Sequence, residues 1–151
     1  MNIDIYMNKT GFEGLHVYQL AEKLSDTIWN ITIKWDKFSQ DTVGKQWINS
    51  ADSIGANIAE GTGRGSFADN RRFAKIARAS LFEVRHWLRR AYKSNLVSED
   101  EMYELQKVID ELTPRLSAYI KSIGKIPDKD SKKLNNNRQR TTDNGQQTTD
   151  H

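Results

Sequence analysis

From Val17 onward the apolar residues fall at Val17, Ala21, Leu24, Ile28, Ile31, Trp35 and Phe38, steps of four and three that keep one face of a helix apolar. Residues Ser39 to Gly44 interrupt that pattern with polar side chains and glycine, and a second face then reads Trp47, Ala51, Ile54 and Ile58. The second helix is expected to stop near Gly61, as a left-handed C-cap, with Gly63 and Gly65 permitting a tight reversal. Ser66 with Asp69 three residues later is a capping signal for a third stripe: Phe73, Ile76, Ala77, Ser80, Leu81, Val84, Trp87, Leu88 and Ala91, closing near Lys93 to Asn95. A capping box, Ser98 with Glu101, opens the fourth, whose face is Met102, Leu105, Ile109, Leu112, Leu116, Tyr119 and Ile123, ended by Gly124 and Pro127. Pro114 falls inside this last helix, removes one backbone donor and predicts a bend in one helix rather than a division into two.

Four amphipathic segments with short connections favour antiparallel neighbours, so the expected fold is all-α, an up-down-up-down four-helix bundle over residues 12 to 124. No run alternates with period two. Residues 1 to 11 read as a flexible N-terminus, and residues 125 to 151 as a disordered polar tail with one leucine, Leu134, and a near-repeat, QRTTDN and QQTTDH. The 151-residue length suits one domain plus a tail. With no cysteine the chain has no disulfide, no thiolate nucleophile and no cysteine-based zinc site. No stretch approaches the ~20 apolar residues of a membrane span, so the expectation is a cytoplasmic protein without a membrane partner.

Gly61, Gly63 and Gly65 precede a helix N-terminus, whose free amides and dipole suit an anion. A dinucleotide fingerprint, however, needs a strand before the glycines, and a Walker loop needs Gly-Lys-Ser/Thr where this chain has Gly-Arg-Gly-Ser. The loop therefore reads as a hinge between helices rather than a phosphate cradle.

Charge changes the picture more than composition does. Residues 64 to 93 hold nine Lys or Arg against two acids, whereas residues 1 to 63 hold five against eight and residues 94 to 124 hold three against six. The third helix is thus the basic element of an acidic bundle. At 100° per residue, Arg71, Lys75, Arg78, Arg85, Arg89 and Lys93 share one arc opposite the apolar stripe, and Arg64, Arg71, Arg78 and Arg85 recur every seven residues. Phe82 lies among them, an aromatic that can stack on an unpaired base or on neighbouring guanidinium groups. Two readings follow: the ridge neutralises nucleic-acid phosphates, or it pairs with acidic helices of its own or an adjacent subunit.

Ala51, Gly55 and Ala59 form a small-residue strip for close helix packing. Beside it lies a polar strip of Gln46, Ser53, Asn57 and Glu60 without a base partner, since His16, His86 and His151 have neither triad nor metal-ligand spacing. The strip reads as helix capping and interhelical hydrogen bonding at a subunit boundary. An enzyme with Glu60 or Glu83 as metal ligand or base is the weakest reading. No catalytic residue, metal, cofactor or small-molecule substrate is expected.

Phe12-Glu13, Leu15, Val17-Tyr18, Ala21, Gln46, Ala51-Asp52-Ser53-Ile54, Asn57-Ile58-Ala59-Glu60-Gly61, Gly63-Arg64, Phe73 and Ile76-Ala77-Arg78-Ala79-Ser80-Leu81 with Glu83 resemble the 23S ribosomal RNA intervening-sequence protein family over about residues 12 to 124. The SI-x-x-NIAEG core, with Ser53, Asn57, Glu60, Gly61 and, just beyond it, Gly63 as structural motif residues, is specific. The resemblance implies an up-down four-helix bundle assembled as a ring-shaped homopentamer, encoded in some bacteria within insertions of the large ribosomal RNA gene. It also implies similarity in fold to the basic accessory protein of diversity-generating retroelements, which works with nucleic acid and a reverse transcriptase. Two positions depart from the pattern: Trp47, Ile48 and Asn49 stand where many members have basic residues, and Ala79 stands where a glycine is usual. The expectation is a non-enzymatic, self-associating bundle that offers Arg64, Arg71, Arg72, Lys75, Arg78, Arg85 and Arg89 to RNA or DNA. The alternative is an interaction scaffold whose basic helix meets acidic subunit surfaces.

Overall fold

The computed structural model describes residues 11 to 125; the expected flexible N-terminus, except Gly11, and the expected disordered tail beyond Lys125 lie outside the described residues. Four long helices make up the fold: α1 (His16–Thr32), α2 (Lys45–Thr62), α3 (Phe67–Lys93) and α4 (Glu99–Ser122). A short 3-10 turn, Phe12–Gly14, precedes α1. Contacts link α1 with α2, α2 with α3, α3 with α4 and α4 with α1, so each helix buries its stripe between two neighbours. No strand occurs among the described residues.

The stripes read from the sequence form the core. Leu24, Ile28, Trp47, Ile54, Ile58, Leu81, Val84, Leu105, Ile109, Leu112 and Leu116 are fully buried. Each such aliphatic side chain contributes about 1.5–3 kcal/mol relative to exposure. The edges of the stripes differ from expectation: Phe38 is 77% exposed and Ile76 is exposed, while Trp87, Met102 and Tyr119 are only half-buried. Ala74, Ile120 and Ile123 make a small satellite core at the end of the bundle where α4 stops.

The connection between α1 and α2 corrects the expected break at Ser39 to Gly44. α1 ends at Thr32, whose hydroxyl donates back to the Ile28 carbonyl at 2.7 Å. Asp36 then caps a helical turn, Lys37–Ser39, accepting from the Ser39 amide at 3.0 Å and the Ser39 hydroxyl at 2.7 Å. A π-helical turn, Gln40–Gly44, runs without interruption into α2. Gln40 Nε2 donates to the carbonyls of Thr32 and Ile33, satisfying groups that the end of α1 leaves unpaired. Gly44 is required here because a Cβ would lie 2.7 Å from Thr32 Cγ2. The polar residues therefore build the corner rather than break the helix, and Trp35, just past α1, stacks on Trp47 with centroids 5.7 Å apart.

The expected left-handed cap at Gly61 is also corrected. Gly61 lies within α2, buried, and the residue that caps the helix, Gly63, has φ −84°. Gly61 is glycine because α3 is close: a Cβ would stand 2.7 Å from Asn70 Oδ1, 3.0 Å from Phe73 Cβ and 3.1 Å from the Asn70 carbonyl. The positive-φ residues among those described are Asn95, which ends α3, and Gly124, which follows α4, both positions where a left-handed residue terminates a helix. The two capping signals form as expected. Ser66 Oγ accepts from the Asp69 amide at 3.2 Å, and Ser98 and Glu101 make the reciprocal capping box at 3.1 and 3.0 Å. α4 continues through Pro114 as one helix. Pro114 and Asp110, whose carbonyl loses its donor, are both exposed residues, on the side of the helix where water can satisfy that group.

Candidate nucleic-acid interface

The candidate basic residues of α3 and of the turn before it have different surroundings. At the N-terminal end, Arg64 Nε donates to Asp69 Oδ2 at 2.8 Å and Arg72 Nη2 stands 2.9 Å from Asp69 Oδ1. Both guanidinium groups also lie over the Phe73 ring, at 5.0 and 4.5 Å from its centroid. Glu60 adds a longer contact to Arg64 at 3.9 Å. The hydrogen bonds from Arg64, then from Arg72, hold the Asp69 carboxyl below the ordinary aspartate range. Asp69 occupies the first turn of α3, where the helix dipole favours negative charge, and the cations beside the glycine loop are taken up by the protein's own carboxylate.

Arg71 faces the other way. Its Nη1 donates to the Ile123 carbonyl at 3.0 Å, tying the start of α3 to the end of α4. Gly124, at φ +81°, turns the chain there, and a Cβ on it would meet Arg71 Nη1 and Phe67 Cγ, each at 3.1 Å. A C-terminal helix carbonyl is a favourable place for a cation.

Farther along α3, Lys75, Arg85, Arg89 and Lys93 are exposed and Arg78 is half-buried. Among the described residues no carboxylate lies within ion-pair distance of these five. From Lys75 to Lys93 the helix rises about 27 Å at 1.5 Å per residue. Between α3 and α4 opens a groove of about 620 Å³, lined on the α3 side by Phe82, Arg85, His86, Arg89, Tyr92 and Lys93. Met102 and Gln106 of α4 form its far wall, and Leu88 its floor. Phe82 is 50% and Tyr92 42% exposed. Arg85 leans over the Phe82 ring at 5.7 Å, the loose end of a cation–π contact.

Residues of the polar strip on α2 meet α3 within one chain rather than waiting for a second subunit. Ser80 Oγ donates to the Ile76 carbonyl at 3.1 Å, so the 2.9 Å contact between Ser53 Oγ and Ser80 Oγ takes its proton from Ser53. Ser53 Oγ in turn accepts from Asn57 Nδ2 at 2.9 Å, and a second Asn57 proton goes to the Ser53 carbonyl at 2.8 Å. The result is a directed chain, Asn57 to Ser53 to Ser80 to Ile76, that fixes α2 against α3 where small residues bring them close. Glu60 is exposed beside Arg64, Glu83 accepts from Trp87 Nε1 at 3.2 Å, and the exposed His16 bonds Glu111 at 3.2 Å.

Sequence reasoning missed Tyr92 as a groove residue and the groove itself, because α4's contribution depends on how two helices pack. The signal for Tyr92 was an aromatic three residues after Arg89, at the edge of the basic arc. Reasoning from charge alone also grouped Arg64, Arg71 and Arg72 with the free cations, though Asp69 in the same turn marked a local partner.

Among the described residues, no helix is long and apolar enough to cross a membrane. A comparison with curated proteins finds no match. Among solved structures, the fold is similar to a protein of unknown function from the S23 ribosomal protein family of Bacteroides thetaiotaomicron, at a TM-score of 0.61 and 24% identity, covering 70% of this chain and 98% of that one. The family model described as 23S rRNA-intervening sequence protein matches residues 13–118, which include all four motif residues of α2, Gly63, the charged turn around Asp69 and the groove face of α3. The chain therefore belongs to the 23S rRNA-intervening sequence protein family.

Proposed function

We propose that this protein is a non-enzymatic, cytoplasmic, self-associating bundle that binds RNA or DNA through the free basic face of α3. The observation that carries the reading is the division just described: Arg64, Arg71 and Arg72 are engaged by the protein itself, whereas Lys75, Arg78, Arg85, Arg89 and Lys93 present an unpaired cationic line. Such a line gains binding energy by releasing counterions from phosphates regardless of sequence. The family's name associates its members with a ribosomal RNA gene, which agrees with a nucleic-acid ligand. Self-association, as a homopentamer by the family resemblance, finds support in the exposed apolar side chains of Trp29, Ile33 and Phe38 around the end of α1.

The test is reversal of Arg78, Arg85 and Arg89 to Glu together. The variant should keep its helical signal and its mass by light scattering while losing binding to mixed single- and double-stranded RNA and DNA. Unchanged affinity would remove the proposal.

One observation favours the scaffold reading instead. Glu99, Asp100 and Glu104 crowd the exposed start of α4, a negative surface that an α3 from another copy would complement. In that case the same reversals break the oligomer, and its mass falls as salt rises.

A further inference from the structure

We infer that the groove between α3 and α4 takes a single strand of nucleic acid, with unpaired bases stacked on Phe82 and Tyr92 and phosphates held by Arg85, Arg89 and Lys93. This rests on the nucleic-acid reading and narrows it to a ligand class. Phe82, Arg85, Arg89, Tyr92 and Lys93 all line the same opening. At 1.5 Å per residue, Arg85 and Arg89 stand about 6 Å apart along the helix, and Phe82 and Tyr92 about 15 Å. Along this wall the two rings therefore flank the Arg85 and Arg89 pair, with Lys93 beyond Tyr92.

Two physical arguments select a single strand over a duplex. A duplex keeps its base faces stacked inside, so exposed rings gain nothing from it, whereas every unpaired base offers a face to an aromatic side chain. The groove's volume, about 620 Å³, falls in the range of sites for small molecules, which gives unpaired bases room to enter between α3 and α4. Phe82 and Tyr92 are half in solvent, although the core beneath them, Leu81, Leu88 and Ala91, is fully or nearly buried. Neither ring belongs to the packed core. Arg85 over Phe82 covers one approach loosely, and a guanidinium there extends the stacking surface for a base.

The test measures anisotropy of a labelled, unstructured RNA of about 12 nucleotides, a length within the range of single-strand sites, and of a duplex of the same strand, using the full chain. The variants are Phe82→Ala, Tyr92→Ala, Phe82→Trp and Arg85→Glu with Arg89→Glu. The inference expects the single strand to bind at least tenfold more tightly than the duplex. Phe82→Ala and Tyr92→Ala each weaken the single strand by about tenfold while leaving the weaker duplex binding unchanged, and Phe82→Trp retains affinity. Equal binding of strand and duplex, lost on charge reversal but indifferent to Phe82→Ala and Tyr92→Ala, overturns the groove inference and leaves the phosphate-binding proposal standing. No binding of either probe at low salt overturns both. Thermal unfolding of each variant checks the fold, which the exposure of both rings should leave within about 2 °C of the parent, since surface substitutions away from buried features fall within ±0.5 kcal/mol.

Discussion

Arg71 donates a 3.0 Å hydrogen bond to the carbonyl of Ile123, so a cation that the linear pattern placed on the ligand face instead joins the two ends of a helical hairpin. Arg71→Met keeps the aliphatic stem and removes the bond. It should lower stability by about 1 kcal/mol in denaturant titration and leave nucleic-acid affinity within twofold of the parent. Loss of affinity equal to that of an Arg85 reversal would return Arg71 to the ligand face.

Close approach at Gly61 gives a second expectation. A methyl group there meets the Asn70 backbone carbonyl at 3.1 Å as well as the movable Asn70 amide. Gly61→Ala should therefore destabilise the protein by about 1–3 kcal/mol, even though alanine ordinarily favours a helix over glycine by ~1 kcal/mol. A hinge glycine with a free surface would show the opposite sign.

The directed chain from Asn57 through Ser53 to Ser80 can be measured as a coupling. Ser80→Ala leaves the Ser53 proton without its acceptor between two packed helices, and Ser53→Ala leaves Ser80 short of one donor. Each should cost about 1 kcal/mol, and the double variant about as much as either single one, a coupling of ~0.5–1.5 kcal/mol. Additive losses would mean that the 2.9 Å contact contributes nothing of its own.

Asp69 supplies a pH dependence. Hydrogen bonds from Arg64 and then Arg72 depress its folded pKa, so its contribution to stability is present above the unfolded aspartate value, about 3.9, and fades as pH falls through the depressed folded value. Asp69→Asn should destabilise the protein at neutral pH and converge on the parent below that window in acid titrations followed by circular dichroism. A constant difference down to the lowest pH would mean that the carboxylate charge is not what matters.

The sequence carried the bundle because its stripes are long and its caps are local. Ser66 with Asp69 and Ser98 with Glu101 are read from three-residue spacings, and Leu24, Ile54, Val84 and Leu112 from a 3.6-residue period. The corner at Asp36 to Gly44 was less legible, since Gln40 and Gly44 act on Thr32 and Ile33, which are neighbours only after α1 and α2 pack. Gly61 was misread for the same reason: a glycine near the end of a helix suggests a cap, and only α3 reveals that it serves contact. On the candidate interface, charge and periodicity found the α3 face. Asp69 in the same turn sets Arg64 and Arg72 apart, whereas the bond from Arg71 to the Ile123 carbonyl leaves no trace in spacing that separates it from Arg78, Arg85 and Arg89.

The most direct measurement is the salt dependence of affinity for an unstructured RNA, with the parent compared against two double reversals, Arg85→Glu with Arg89→Glu and Arg64→Glu with Arg72→Glu. If Lys75, Arg78, Arg85, Arg89 and Lys93 all meet phosphates, the logarithm of the association constant should fall with the logarithm of salt at a slope of about −3.5, from roughly 0.7 per phosphate of a single strand. The Arg85/Arg89 reversal should abolish binding, while the Arg64/Arg72 reversal should lose stability and keep that slope. A parent that binds no RNA at low salt, or whose binding survives reversal of Arg85 and Arg89, would contradict the account.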